Sequence, residues 1–164
     1  MKTFVKILVA ILVVAAICGG VYLVLPETAQ IFVKGYVQYR TDDNAKEKID
    51  SLKKNEIIYT DTQSTGVDKK VSTGVTYVDA LDKKAKTTVW YYEETNNGGF
   101  KITYYGTKVS MALAKYGADG TYIDKTLKVV FDFPSGGKSS VTIYIGDQQC
   151  DDTMKSAVLQ ALVY

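Results

Sequence analysis

The side chains of this chain that could do chemistry are tyrosine, carboxylate, lysine, serine and two cysteines, because the 164 residues contain no histidine. That absence removes the commonest general base and the commonest metal ligand. A Ser-His-Asp triad or a Cys-His pair cannot be built. Ser139-Ser140 beside Lys138 leaves a serine–lysine pair formally open, but the composition there is that of a hairpin turn. Gly98-Gly99 and Gly136-Gly137 lie between strand-like stretches, with no Gly-Lys-Ser/Thr at phosphate-loop spacing. Glu93 and Glu94 are neighbours on a strand and face opposite sides, so they do not form a facing acid and base. Asp147, Asp151 and Asp152 offer oxygen ligands for calcium, but their spacing matches no EF-hand loop. No catalytic residue, cofactor or metal ligand is therefore assigned, and the chain is expected to be non-enzymatic.

The cysteines are unlike each other. Cys18 sits inside an apolar run and Cys150 stands alone in the rest of the chain, so no disulfide framework is expected. A small buried apolar role is the expectation for Cys150, with an intermolecular disulfide as the alternative. The remaining candidate is aromatic. Trp90, Tyr91 and Tyr92 lie on one arm of a hairpin and Tyr104 and Tyr105 on the other. Alternation sends some of them to the core and some outward. An outward Trp/Tyr cluster could bind a protein or a glycan; cross-strand pairing within the hairpin is the structural alternative.

The elements that position these groups follow an apolar leader. Ile7 to Leu25 is nineteen residues without a charge, long enough as a helix to span about 30 Å of hydrocarbon. Lys2 and Lys6 precede it and Glu27 is the first acid. The positive-inside rule then puts the N-terminus in the cytoplasm and the C-terminal domain outside a bacterial cell membrane. Two other fates are open. A signal peptidase could cut near Cys18-Gly19-Gly20, leaving a secreted protein, or Cys18 could carry lipid, although Ile17 stands where a small residue is expected. The uncleaved anchor is preferred because Val21 to Leu25 carries the apolar run past the cut. Leu25-Pro26-Glu27-Thr28 looks like a sortase motif but follows an N-terminal apolar segment instead of preceding a C-terminal one.

Net charge is +2, and Lys2 and Lys6 account for the surplus. A neutral domain argues against nucleic acid as a partner. The expected partners are the membrane and either another protein or a second copy.

The layout expected is residues 1–6 as a basic tail, 7–25 as the transmembrane helix, 26–55 as a helical stalk and 56–164 as an extracytoplasmic domain. In the stalk, Ile31, Phe32, Tyr36 and Tyr39 recur at helical spacing. Thr41-Asp42-Asp43-Asn44 supplies caps for a second helix, whose buried edge is Ala45, Ile49 and Leu52 and whose C-cap is Asn55. Ile57–Thr60 reads as a strand, Thr62–Gly74 as a loop and Tyr77–Lys86 as a short helix. Lys86–Glu94 and Phe100–Tyr105 form a hairpin about Asn96-Asn97-Gly98-Gly99. A strand at Val109, Met111 and Leu113 follows. Leu127, Val129, Phe131 and Phe133 then pair across Pro134–Gly137 with Val141, Ile143 and Ile145. Asp151 caps a final helix whose buried face is Met154, Ala157, Val158, Ala161 and Leu162. The fold class is α+β, an antiparallel sheet of about five strands with a C-terminal helix packed on it.

In outline the chain resembles two families. Phe4, an apolar helix, Pro26, an amphipathic continuation and a sheet look like a pilin-like subunit, with Thr3 and Leu8 departing from that family's processing site and acidic position. The order of short tail, single span, leading helices and antiparallel sheet is similar to a single-span assembly factor of conjugative secretion systems. The function expected is protein contact in an envelope or secretion assembly. A filament subunit with the apolar helix in its core is one alternative; a secreted or anchored carbohydrate-binding module or enzyme is another.

Overall fold

The computed structural model describes residues 19–20, 22–23, 25–61 and 69–164. Its elements run α1 (Glu27–Thr41), α2 (Asp43–Lys53), β1 (Glu56–Asp61), β2 (Lys69–Thr76), α3 (Tyr77–Lys84), β3 (Thr87–Glu94), β4 (Phe100–Ala112), a 3-10 turn (Ala114–Tyr116), β5 (Thr121–Phe133), β6 (Ser140–Ile145), β7 (Gln148–Gln149) and α4 (Asp152–Val163). The fold is α+β. Strands β3 to β7 make one antiparallel sheet in sequence order, and β1 and β2 form a separate antiparallel pair. The expected span from Ile7 to Leu25 lies, apart from Gly19, Gly20, Tyr22, Leu23 and Leu25, outside the described residues. Among the described residues no helix is long and apolar enough to cross a membrane.

Helix starts follow local chemistry. Pro26 takes an extended conformation that ends whatever precedes it and opens α1. The carboxylate of Asp42 accepts from the Ala45 N–H (3.0 Å) and that of Asp151 from the Met154 N–H (2.8 Å), so both expected caps form. Thr76 caps α3 in the same way. Residues Ala45, Ile49 and Leu52 are the buried edge of α2, as the spacing requires.

The sheet divides by parity. Across β3, β4, β5 and β6 the register aligns Trp90, Tyr104, Val129 and Ile143 in one row and Tyr92, Ile102, Phe131 and Val141 in the next. These point inward, to α2, α3 and β1. Trp90 meets Tyr104 edge-on at 5.0 Å and Tyr77 meets Phe131 at 4.8 Å between ring centroids. Their polar tips are satisfied: the Tyr104 hydroxyl donates to the Leu81 carbonyl (2.8 Å) and Trp90 Nε1 to Asp82 Oδ1 (3.2 Å).

Several expectations are corrected. The leading helices do not stand clear as a stalk; α2 enters the core and α1 lies against β3. Their contact centres on Gly35, where a Cβ would come within 2.5 Å of Val89 Cγ2 and 2.9 Å of the Trp90 carbonyl oxygen. Tyr36, expected on the packed face, is therefore turned outward, and the half-buried Gln38 reaches the edge of β3. Lys69–Gly74, read as the end of a loop, belongs to the strand Lys69–Thr76. Its half-buried Val71, Thr73 and Val75 alternate with exposed Lys70, Ser72 and Gly74, a pattern hidden by polar composition. The rest of that loop, 62–68, lies outside the described residues. The stretch from Val109 is not a strand of its own but the far half of β4. The ladder jumps from Gly106–Leu127 to Val109–Lys125 at a bulge where Lys108 has φ +54°. The fifth strand is instead the two-residue β7. Lys54, one residue early, is the C-cap of α2. Helix α4 packs on β1, α3, the 3-10 turn and the end of β4, and being enclosed on more than one side it buries Leu159 as well, while Met154 is only half-buried.

In an open helix interior Gly→Ala stabilises by about 1 kcal/mol. At Gly35 the added methyl overpacks against β3, and Gly35→Ala is expected to lose about 1–3 kcal/mol. Urea unfolding checks this; an unchanged or higher midpoint would mean that α1 is not seated on β3 at this glycine.

Candidate interaction surface

The other parity of the same strands forms the outer face, which α1 covers at Val89, 7% exposed, and which is half-buried or exposed farther from that helix. One outward row is Val89, Tyr105, Lys128 and Tyr144, the next Tyr91, Thr103, Val130 and Thr142, the third Glu93, Lys101, Asp132 and Ser140. Tyr91, Tyr105, Lys128 and Tyr144 are half-buried. The Lys128 ammonium lies 5.6 Å from the Tyr105 ring centre and 5.1 Å from that of Tyr144, a cation held between two ring faces. Lys34 of α1 lies 4.7 Å over Tyr91. Its pKa is raised, first by the hydrogen bond with the Tyr91 hydroxyl, against the opposing effect of burial. Lys101 and Asp132 pair across β4 and β5 at 3.6 Å.

Where the first turns of α1 approach this face, a cleft of about 500 Å³ opens. Glu27 and Ile31 line it from α1, Tyr105, Lys128 and Tyr144 from the sheet, and Asp147 from the turn after β6. Glu27, Asp124 and Asp147 supply its carboxylates and Lys125 a second cation.

The hairpin aromatics named from sequence are thus separated. Trp90, Tyr92 and Tyr104, at 4%, 6% and 0% exposure, are core residues. Tyr91 and Tyr105 are on the surface. Sequence reasoning missed Tyr144, Lys128 and Lys34. The first two were within reach, since they are out of phase with the apolar positions of β5 and β6; Lys34 depends on the docking of α1.

Cys150 is buried. Burial first, and the charge of Asp151 second, push its thiol up to about 11. A buried thiol that stays protonated at neutral pH accords with the small apolar role. Three carboxylates elsewhere are committed to local structure. Glu56 is lowered by the Ser72 hydroxyl and the Gly74 N–H, Asp79 by Thr76 and Lys83, and Asp152 by Lys155. Asp151 caps α4, so the aspartates at 147, 151 and 152 are not gathered; among the described residues no group of three or more His, Cys, Asp or Glu could hold a metal ion.

No family model, characterised protein or solved structure matches the chain. The surface chemistry alone therefore carries the functional reading.

In a Cys18→Ser chain, Cys150 is expected to react with a thiol reagent at neutral pH only on unfolding, and its native reactivity to rise steeply toward alkaline pH, as the thiolate forms. Stopped-flow labelling with and without denaturant measures this. Fast native labelling, or a disulfide-linked dimer on non-reducing electrophoresis, would contradict the burial.

Proposed function

We propose that this chain is a single-pass protein of a bacterial cell membrane, N-terminus inside, whose extracytoplasmic α+β domain works without catalysis by binding protein in an envelope or secretion assembly. The uncharged run Ile7–Leu25 supports the tether. The observation that carries the binding role is the outward face of the sheet. Three tyrosine rings with two lysines over them form a half-buried, amphipathic platform on rigid strands. Such rings supply contact area and a polar tip together, the composition enriched where proteins meet. On the far side of α1, Val33, Tyr36 and Val37 extend the exposed apolar area, with Arg40 4.4 Å over Tyr36.

The cleft at Glu27, Tyr105 and Tyr144 favours one second reading, a carbohydrate-binding module, because sugars take a ring face beside carboxylates.

A photo-crosslinking residue placed at Tyr105 or Tyr144 in intact membranes is expected to capture a discrete protein adduct. Tyr105→Ser with Tyr144→Ser should abolish the specific partner while changing stability by only about 1 kcal/mol. Recovery of uncrosslinked monomer alone counts against the reading, and glycan binding lost in the same double variant would replace it with the second. The tether has its own check in the intact mass of the native protein: a chain that starts after Gly20 and stays in the aqueous fraction removes it.

A further inference from the structure

The two edges of the sheet are treated differently. At β3 the edge is closed by the protein itself. The Gln38 side chain accepts from the Tyr92 N–H (2.9 Å) and donates to the Tyr92 carbonyl (3.0 Å), so one amide stands in for a neighbouring strand. At β6 the closure is partial. Tyr144 and Ile145 pair with β7, and the Ile143 carbonyl accepts from the Cys150 N–H at 2.8 Å. Upstream of that, among the described residues no strand lies beside Ser140–Thr142 on that side. Because Ile143 turns its carbonyl away from β5, Val141, two residues earlier, turns its N–H and C=O the same way. The segment Ser139-Ser140-Val141-Thr142 carries no proline or charge, the devices that commonly blunt an edge.

A cleft of about 400 Å³ adjoins this edge. Its apolar wall is Leu52, Ile58, Tyr77, Phe131, Phe133 and Val141. Ile58 of β1 stands 51% exposed there although its neighbour Ile57 is wholly buried. Backbone donors and acceptors that no described strand pairs, beside an apolar slot, are the two halves of strand-addition recognition.

We propose that the Ser139–Thr142 edge of β6 takes an extended segment of a protein partner as an added strand. The residue opposite Val141 points, by the pleat, to the same side as Val141 and enters the cleft. Its two neighbours stand beside Ser140 and Thr142 on the outward face. The occupant is therefore an extended peptide with one large apolar residue between polar or β-branched ones. A second copy pairing edge to edge about this residue would set Val141 against Val141 and offer each cleft only an isopropyl group. The surface is distinct from the tyrosine platform, and its test does not depend on that platform.

The probes are fluorescein-labelled, threonine-rich peptides with a single central Phe, Leu or Ser, titrated against the full chain in detergent micelles by polarisation. The Phe or Leu peptide is expected to bind at least about tenfold tighter than the Ser peptide. Val141→Pro deletes an N–H that faces away from β5, a place where an edge strand tolerates proline, and should weaken binding by about tenfold. Ile58→Glu, at an exposed position, should do the same from the cleft side and decides the matter should the proline variant unfold. Tyr105→Ser with Tyr144→Ser should leave peptide binding intact. The proposal is overturned by equal affinity for the Leu and Ser peptides, by absence of binding to any of them, by binding that survives Ile58→Glu, or by self-association of the full chain that Val141→Pro abolishes.

Discussion

The two-residue period of four antiparallel strands held in one register governs the rest of this molecule. It sends Trp90, Tyr104, Val129 and Ile143 to one side and Tyr105, Lys128 and Tyr144 to the other. A slip of one residue in any strand would exchange its core and its surface. Each large apolar side chain on the inner face contributes about 1.5–3 kcal/mol on burial, so the register is strongly preferred over its neighbours. The tight turns help to hold it: Gly98 and Gly137, at φ +75° and +105°, occupy conformations that a side chain would strain.

The inner face needs covering, and the helices supply it. α2 contributes Ala45, Ile49 and Leu52, α3 contributes Ala80 and Leu81, and β1 contributes Ile57. Helix α1 has another task. Its glycine and glutamine let a helix lie on a strand edge, one by omitting a Cβ and the other by presenting an amide. Closure of the β3 edge at Tyr92, and the lack of any described strand beside the first half of β6, give the sheet a polarity that no single element contains. The outer face then lies between a sealed margin and an open one.

Polar side chains are engaged largely in holding this arrangement. Tyr39 donates to Asp50 at 2.6 Å, Ser156 Oγ to the Thr60 carbonyl at 2.7 Å, and the aspartates at 42 and 151 close helix ends. Among the described residues no buried side-chain nitrogen or oxygen lacks a partner. A molecule arranged in this way offers surfaces: rings, ammonium groups and open backbone on a rigid sheet. The proposed protein-binding roles draw on those features.

Local chemistry in the sequence was enough for the caps at Asp42 and Asp151, the buried edge of α2, both main hairpins and the α+β class, because each depends on residues a few positions apart. Parity alone would also have placed Lys128 and Tyr144 outward. Polar composition concealed β2, since Lys69, Lys70, Ser72 and Thr73 carry little of the apolar alternation by which a strand is recognised. The bulge at Lys108 and the two-residue β7 were equally hidden, as both exist only through their partners across the sheet. Gly35 and Gln38 look, in the sequence, like a weak spot and a polar residue in a helix. Contact with Val89, Trp90 and Tyr92, more than fifty positions away in the chain, turns them into the closure of an edge. Composition and spacing thus determined which segments are apolar and where elements start. Tertiary packing decided which tyrosines are core, which helix faces touch the sheet and which strand edge stays open, because burial is a property of the partner as much as of the residue.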